Sequence, residues 1–482
     1  MNEFRTVLFI IGLMLGSLAV GMLVPAVTGL FQTSPDWQSF IISACITGFF
    51  AVALILTSRG ELRPLTVKQA FVLTGFSWLA LTAFAALPLN FSLIGLTYTD
   101  SFFEAMSGLT TTGATIITGL DTTPPEILLW RAMLQWFGGI GIIVMAISVL
   151  PMLNVGGMQL FRLESSDNSE KILPRATEIA GSIAKIYLLI SLLCAFAYLI
   201  AGMSLFDAIT HAMTTISTGG FSTSDNSLGH FNSLGIESVA VFFMIISSLP
   251  FVVYLQAIQG NREPLFTDAQ IRGFLSLLVT IITTLWLYRM LTQDVSAATA
   301  LREVIFNTTS LLTGTGYASS DYGQWGNFAI CLLFIVLFIG GCAGSTSCGL
   351  KVFRVQVVLK SLRRQVQELA YPNGVFVMKY NGNALPDTVT ASVLTFAFTY
   401  FTLFGLIALV LGMLGLDALT ALSAAAAGIA NVGPGMGEII GPQGNYSELP
   451  IAAKWVLCLA MLLGRLELFS VLVMLTPRFW RN

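Results

Sequence analysis

Apolar residues run through this chain in long blocks rather than in the alternating or striped patterns of soluble strands and helices. Residues 7–30, 38–58, 69–90, 127–151 and 181–203 form such blocks, and roughly 20 apolar residues are enough for a helix to cross the hydrocarbon of a bilayer. Ten spans are expected in all. The first block stays apolar to a spanning length through Met14, Leu15 and Leu23 and lacks a cleavable core with a small-residue cleavage site. It reads as a retained first helix.

Shorter apolar stretches at 102–109, 205–216, 301–312 and 419–429 lie between the long ones. At about ten residues each they are too short to span. Each leads into a glycine-bearing loop: Thr110-Thr111-Thr112-Gly113-Ala114-Thr115, Ser217-Thr218-Gly219-Gly220-Phe221, Thr313-Gly314-Thr315-Gly316-Tyr317 and Ala430-Asn431-Val432-Gly433-Pro434-Gly435. Aligned on Gly113, Gly219, Gly316 and Gly433, the loops are 106, 97 and 117 residues apart, enough for two spans, a connecting loop and a half-helix. The repeating unit is helix, half-helix, loop, helix.

Irregular backbone at membrane depth is tolerated only inside protein or along a water-filled cavity. Four such loops entering from one side should therefore meet around a pore. Glycine lets the chain turn successive carbonyls inward, and rings of carbonyl oxygens replace the hydration shell of a cation. The half-helix C-termini would add the negative end of the helix dipole. Thr and Ser hydroxyls would line or cap the loops. The competing reading of any one loop is close helix packing through small residues.

Only 10% of residues are charged and 55% are hydrophobic, against about 25% charged in soluble domains. Basic residues gather at Arg5, at Arg59, Arg63 and Lys68, at Arg162, Lys171 and Arg175, at Arg262 and Arg272, between Lys351 and Lys379, and at Arg478 and Arg481. These regions should be cytoplasmic. Segments 91–126, 205–238 and 416–449 hold no Lys or Arg but carry Asp100, Glu104, Asp121, Asp207, Asp225, Asp417 and Glu438. They should face outward, either as an acidic vestibule that concentrates cations or through ordinary topological bias.

The six cysteines lie in apolar or glycine-rich segments, and the two histidines, His211 and His230, are far in sequence from the close pair Cys342 and Cys348. Neither a disulfide framework nor a transition-metal site is expected. No His-Glu-x-x-His, Gly-x-Ser-x-Gly or paired catalytic carboxylate is present, so an enzyme is not expected.

At its four loops the chain resembles the Trk, Ktr and HKT superfamily of potassium transporters, and the two spans before the first repeat resemble the Trk branch. The resemblance implies an all-α integral membrane protein with four pseudo-repeated units around a central pore. Residues 1–68 would hold the two extra helices, with repeats at 69–180, 181–268, 269–383 and 384–482. It implies a filter formed by Thr111, Thr112 and Gly113, by Ser217, Thr218 and Gly219, by Gly314, Thr315 and Gly316, and by Asn431, Val432 and Gly433. In this superfamily glycine at the key position of all four loops goes with potassium preference, while serine in the first goes with sodium permeation. None of the loops here matches Thr-Val-Gly-Tyr-Gly in full.

The run Gly340-Gly341-Cys342-Ala343-Gly344-Ser345-Thr346-Ser347-Cys348-Gly349 interrupts an apolar span. At about 1 kcal/mol per glycine relative to alanine it should unwind or bend, although Gly340 and Gly344 also fit a packing seam. By resemblance it is a gating loop, with Gly340, Gly341, Gly344, Ser345, Thr346, Ser347 and Gly349 as its gate residues. Arg465 is a charge inside the last apolar span, an expensive placement that marks a cavity or partner. Glu467 is poorly placed to pair with it, being two residues away. By resemblance Arg465 is a positive barrier below the filter.

The implied activity is potassium uptake across a bacterial cytoplasmic membrane, with both termini cytoplasmic. A proton- or sodium-coupled symporter is the alternative. Potassium is the substrate, and no covalently bound cofactor and no nucleic-acid partner are expected. The resemblance further implies a homodimer in lipid and a cytosolic nucleotide-binding ring. Segments 156–184 and 351–383, with Lys360, Arg363 and Arg364 in the second, are the candidate docking sites.

Overall fold

The computed structural model describes residues 4–60, 65–148 and 172–481. Arg63, Arg162, Glu164, Lys171 and the Arg175 side chain, and with them most of the docking segment at 156–184, lie outside the described residues. The fold is mostly helical, as expected. The strands among the described residues form one two-residue hairpin, Lys379–Tyr380 against Asn383–Ala384.

Helices α1 (Arg5–Phe31) and α2 (Trp37–Thr57) precede the repeats and pack closely, a Cβ on Gly12 falling 3.2 Å from the Ala51 carbonyl oxygen. The first unit is α3 (Val67–Ala85), half-helix α4 (Tyr98–Leu109) and α5 (Pro125–Ser148). The second is α6 (Ile172–Ile200), half-helix α7 (Leu205–Ile216), and α8 (Leu234–Ser247) with α9 (Phe251–Ile258). The third is α10 (Ala269–Thr292), α11 (Ala297–Thr313), and α12 (Asn327–Leu337) with α13 (Val352–Ala370). The fourth is α14 (Asp387–Met413), α15 (Ala418–Ala430), and α16 (Ile451–Arg465) with α17 (Phe469–Met474).

Among the described residues, six helices are long and apolar enough to cross a membrane, and the α8–α9 pair, bent by 88°, makes a seventh. The ten spans expected would need α5 and the broken helices α12 and α16 as well, of which α12 with 11 residues and α16 with 15 are short of a spanning length on their own. The α8–α9 bend falls at Ser248-Leu249-Pro250, where proline removes a backbone donor and disfavours helix in the residue before it. The α16–α17 break falls at Glu467 and Leu468, both at positive φ (60° and 38°), a conformation that side-chain-bearing residues rarely adopt.

Each half-helix begins at a side-chain cap. Thr97 accepts from Asp100 N, Ser204 from Asp207 N, Ser296 from Thr299 N and Asp417 from Thr420 N. Such caps satisfy orphan amides at the N-terminus, so each half-helix starts cleanly on one side and ends at its loop.

Candidate functional site

The four loops leave their half-helices in the same way. The first backbone turn is left-handed at Thr111 (φ 53°), Thr218 (51°), Gly314 (75°) and Asn431 (53°). The next amide reaches back five residues: Thr112 N to Ser107 O, Gly219 N to Thr214 O, Thr315 N to Ser310 O and Val432 N to Ala427 O. This is the hydrogen bond of a helix C-cap. Two of the four turn residues are β-branched threonines, for which left-handed backbone is strained, and strain of this kind gathers at functional sites.

These hydrogen bonds fix the register and correct one assignment. Gly219 occupies the place of Thr112, and Gly220 (φ 76°) the place of Gly113 (φ 85°) and Gly316 (φ 83°). The row in the second loop is Thr218, Gly219 and Gly220, while Ser217 caps its half-helix as Thr110 does. With two adjacent glycines, aligning glycine on glycine cannot choose between them; the left-handed turn one residue earlier does.

The loops close on one another as a ring. A Cβ on Gly113 would lie 2.1 Å from the Gly219 carbonyl oxygen, and one on Gly220 1.9 Å from that of Thr315. A Cβ on Gly316 would lie 2.8 Å from Pro434 Cδ and 3.1 Å from Gly433 N, and one on Gly433 2.7 Å from the Gly113 carbonyl. Loop one leans on two, two on three, three on four, and four on one, with no room for a side chain.

Polar side chains brace the ring from behind. Gln135 donates to Gly219 O (2.7 Å) and accepts from Phe221 N (3.0 Å). Arg131 pairs with Glu104 at 2.7 Å and donates to Ser222 O and Thr115 Oγ1. Asn431 donates to Thr112 Oγ1 (2.9 Å), and Tyr317 OH meets the Thr215 hydroxyl (3.2 Å). Glu104 is fully buried and so is not part of an exposed acidic vestibule; Asp100 is bound to Lys454 at 2.6 Å. Asp207 accepts from Thr223, and Asp225 from Leu120 N. The outer carboxylates thus serve mainly as caps and braces. Sequence reasoning missed Arg131 and Gln135, although both interrupt an apolar run, and a charge there is a signal of function.

Beneath the ring lies the glycine-rich stretch of the third unit, unwound from Phe338 to Lys351. Gly340 cannot carry a Cβ, which would meet Cys348 O of the same loop at 1.5 Å, while nothing lies within 4 Å of one on Gly344. These two glycines therefore do not form a helix-packing seam. The loop is stitched to the α8–α9 bend, Cys342 N donating to Ser248 O and Phe251 N to Gly344 O. Ser347 Oγ accepts from Gly341 N, and Ser345 Oγ donates to Cys342 O. Thr346 touches the ring, its hydroxyl 3.3 Å from that of Thr218, and Gly349 (φ 72°) turns the chain back toward α13.

Arg465 is buried at 1% exposure and reaches into this loop. It donates to Thr346 O (3.3 Å), to Cys348 Sγ and to Gly138 O of α5 (2.8 Å), while its Nε has no partner among the described residues. Glu467 does not pair with it; the carboxylate is bound by Arg354 at the start of α13. Lys351 donates to Ser347 O. His211 has both ring nitrogens engaged, with Asp207 O and Ser222 Oγ.

Comparison with known proteins places this architecture. The family model of TrkH, described as a cation transport protein, matches residues 37–481. The chain belongs to the TrkH family of cation transport proteins. The Trk system potassium uptake protein TrkI of Halomonas elongata is 44% identical over 469 residues, 96% of this chain and 94% of that one. The Trk system potassium uptake protein TrkH of Escherichia coli K12 is 37% identical over 494 residues, covering 100% of both. The crystal structure of the potassium transporter TrkH from Vibrio parahaemolyticus matches with a TM-score of 0.92 at 36% identity, over 99% of this chain and 100% of that one. A TrkH-family chain is a multi-pass membrane transporter and not an enzyme.

Proposed function

We propose that this chain takes up potassium across a bacterial cytoplasmic membrane through the ring of four loops, both termini lying in the cytoplasm. The observation that carries the reading is the closed ring itself: four glycine-bearing turns, each at the C-terminal end of a capped half-helix and each in backbone contact with the next. The potassium relatives support the choice of ion. Thr111, Thr112 and Gly113, Thr218, Gly219 and Gly220, Gly314, Thr315 and Gly316, and Asn431, Val432 and Gly433 supply the oxygens that replace water around the ion.

The loop Gly340–Gly349 and Arg465 form the gate. Like unit charges in a site of effective dielectric ~20 repel by about 1–3 kcal/mol over separations of roughly 6–16 Å, so Arg465, buried against the loop beneath the ring, opposes a cation leaving the filter. Opening requires the loop and the guanidinium to move aside.

Two observations favour a conduit over a symporter. Of the five buried carboxylates among the described residues, Glu104, Glu237 and Glu467 are each bound to an arginine, while Asp36 and Glu126 stand at the first turns of α2 and α5, accepting from Leu93 N and the Ser34 hydroxyl; His211 is saturated with hydrogen bonds. Helix α13 leaves Leu359, Leu362, Val366 and Leu369 exposed beside Lys360 and Arg363, a surface that suits docking of a second copy or of a cytosolic nucleotide-binding ring.

The test is ion flux into proteoliposomes holding the purified chain, with potassium, sodium and proton gradients varied separately. Flux that follows the potassium gradient alone supports the conduit. A requirement for a sodium or proton gradient establishes the symporter, and absence of potassium flux both alone and with a nucleotide-binding partner overturns the proposal.

A further inference from the structure

The ring is fourfold in outline but not in chemistry. Among the described residues, no donor bonds the carbonyl oxygens of Gly113, Gly220 or Gly316. The equivalent oxygen of Gly433 is taken: the Tyr446 hydroxyl donates to it at 2.9 Å. The backbone differs at the same point, since Gly113, Gly220 and Gly316 are left-handed and Gly433 is not.

Tyr446 is held in place independently of any ion. It is 3% exposed, its amide donates to Thr115 O of the first loop at 2.9 Å, and its ring lies 5.5 Å from that of Phe103 on α4. A carbonyl oxygen that accepts a hydrogen bond has a lone pair committed and less negative charge to offer a cation. Conduction requires that an ion bind well enough to enter and loosely enough to leave.

We propose that Tyr446 is a positioning residue of the filter, which weakens the fourth wall at the Gly433 level so that the ring offers an ion three free carbonyls and one tied one. The inference rests on the filter reading above. It makes the loop after the fourth half-helix one element that sets how tightly the filter holds its ion at the Gly433 level, as the Gln135 amide ties the Gly219 oxygen of the second loop.

Tyr446→Phe removes the hydroxyl and keeps the ring, and Phe103→Leu perturbs the packing around the ring while keeping the hydroxyl. Potassium binding to the full-length purified protein is measured by titration calorimetry, and half-saturation and maximal rate are measured in proteoliposomes. The expected result for Tyr446→Phe is a potassium dissociation constant about three- to tenfold lower, the range that one net hydrogen bond spans, with half-saturation falling in parallel and no gain in maximal rate. Phe103→Leu is expected to leave the dissociation constant within about twofold of wild type. A constant that is unchanged or higher in Tyr446→Phe overturns the inference, as does an equal effect of Phe103→Leu, which would reduce Tyr446 to a packing brace. Wild-type protein that fails to prefer potassium over sodium, or a Gly113→Ser variant that binds like wild type, overturns the filter reading itself.

Discussion

The ring of four loops and the glycine-rich loop beneath it lie against each other, yet they are held by different forces. The ring is closed by backbone contact between neutral glycines and steadied by amide, hydroxyl and buried ion-pair braces set behind it. The cavity at the loop below is lined by Lys351, Arg354 and Arg465 and, among the described residues, by one carboxylate, that of Glu467. Close packing has essentially one arrangement. A cluster with excess positive charge has a standing electrostatic reason to rearrange when a cation, a counter-charge or a partner alters the balance. On the proposed reading, the ring that would select is built to stay, and the loop that would gate is built to give way.

The sharpest way to break this contrast is to put a side chain into the ring. Gly113→Ser drives a Cβ to within 2.1 Å of Gly219 O, so the first two loops must separate; discrimination between potassium and sodium should fall by about tenfold or more, a change of ~1.4 kcal/mol in relative affinity, read by competition flux. Next, removing the brace at Arg131 strands the Glu104 carboxylate, and loss of one partner of a buried pair costs about 3–5 kcal/mol. Arg131→Met should therefore lower the thermal melting point of the solubilised protein markedly. Below the ring, Arg465→Ala should raise basal potassium flux roughly tenfold while leaving the potassium-to-sodium ratio unchanged, since the barrier goes and the ring stays. If selectivity fell with it, the separation between the two regions would be wrong. The smallest effect is expected at the outer rim, where Asp417→Ala removes one helix cap worth ~1 kcal/mol and should shift stability slightly without touching selectivity.

The distinction also explains what the sequence revealed. Long apolar runs, half-helices too short to span and glycine loops are local patterns, so the architecture could be read from residue order. The unwinding at Gly340 to Gly349 was legible for the same reason: too many glycines stand together for a helix. What escaped depends on partners distant in the chain. Glu104 looked like an exposed outer carboxylate because its arginine is 27 residues away, and Glu467 had no visible partner because Arg354 is 113 residues away. The register of the second loop escaped because Gly219 and Gly220 are chemically alike, and only the strained turn at Thr218 separates them.

The contact of Gly433 with Gly113 joins the fourth loop to the first, and it bears on how the pore comes into being. During synthesis the first three loops can be inserted and stacked in order, but the ring has a missing wall until the ribosome has delivered residues 418–446 and they have folded back beside the first unit. Closure of the ring therefore has to wait for the last of the four loops, so every earlier stage of synthesis holds at most three loops without their closing partner.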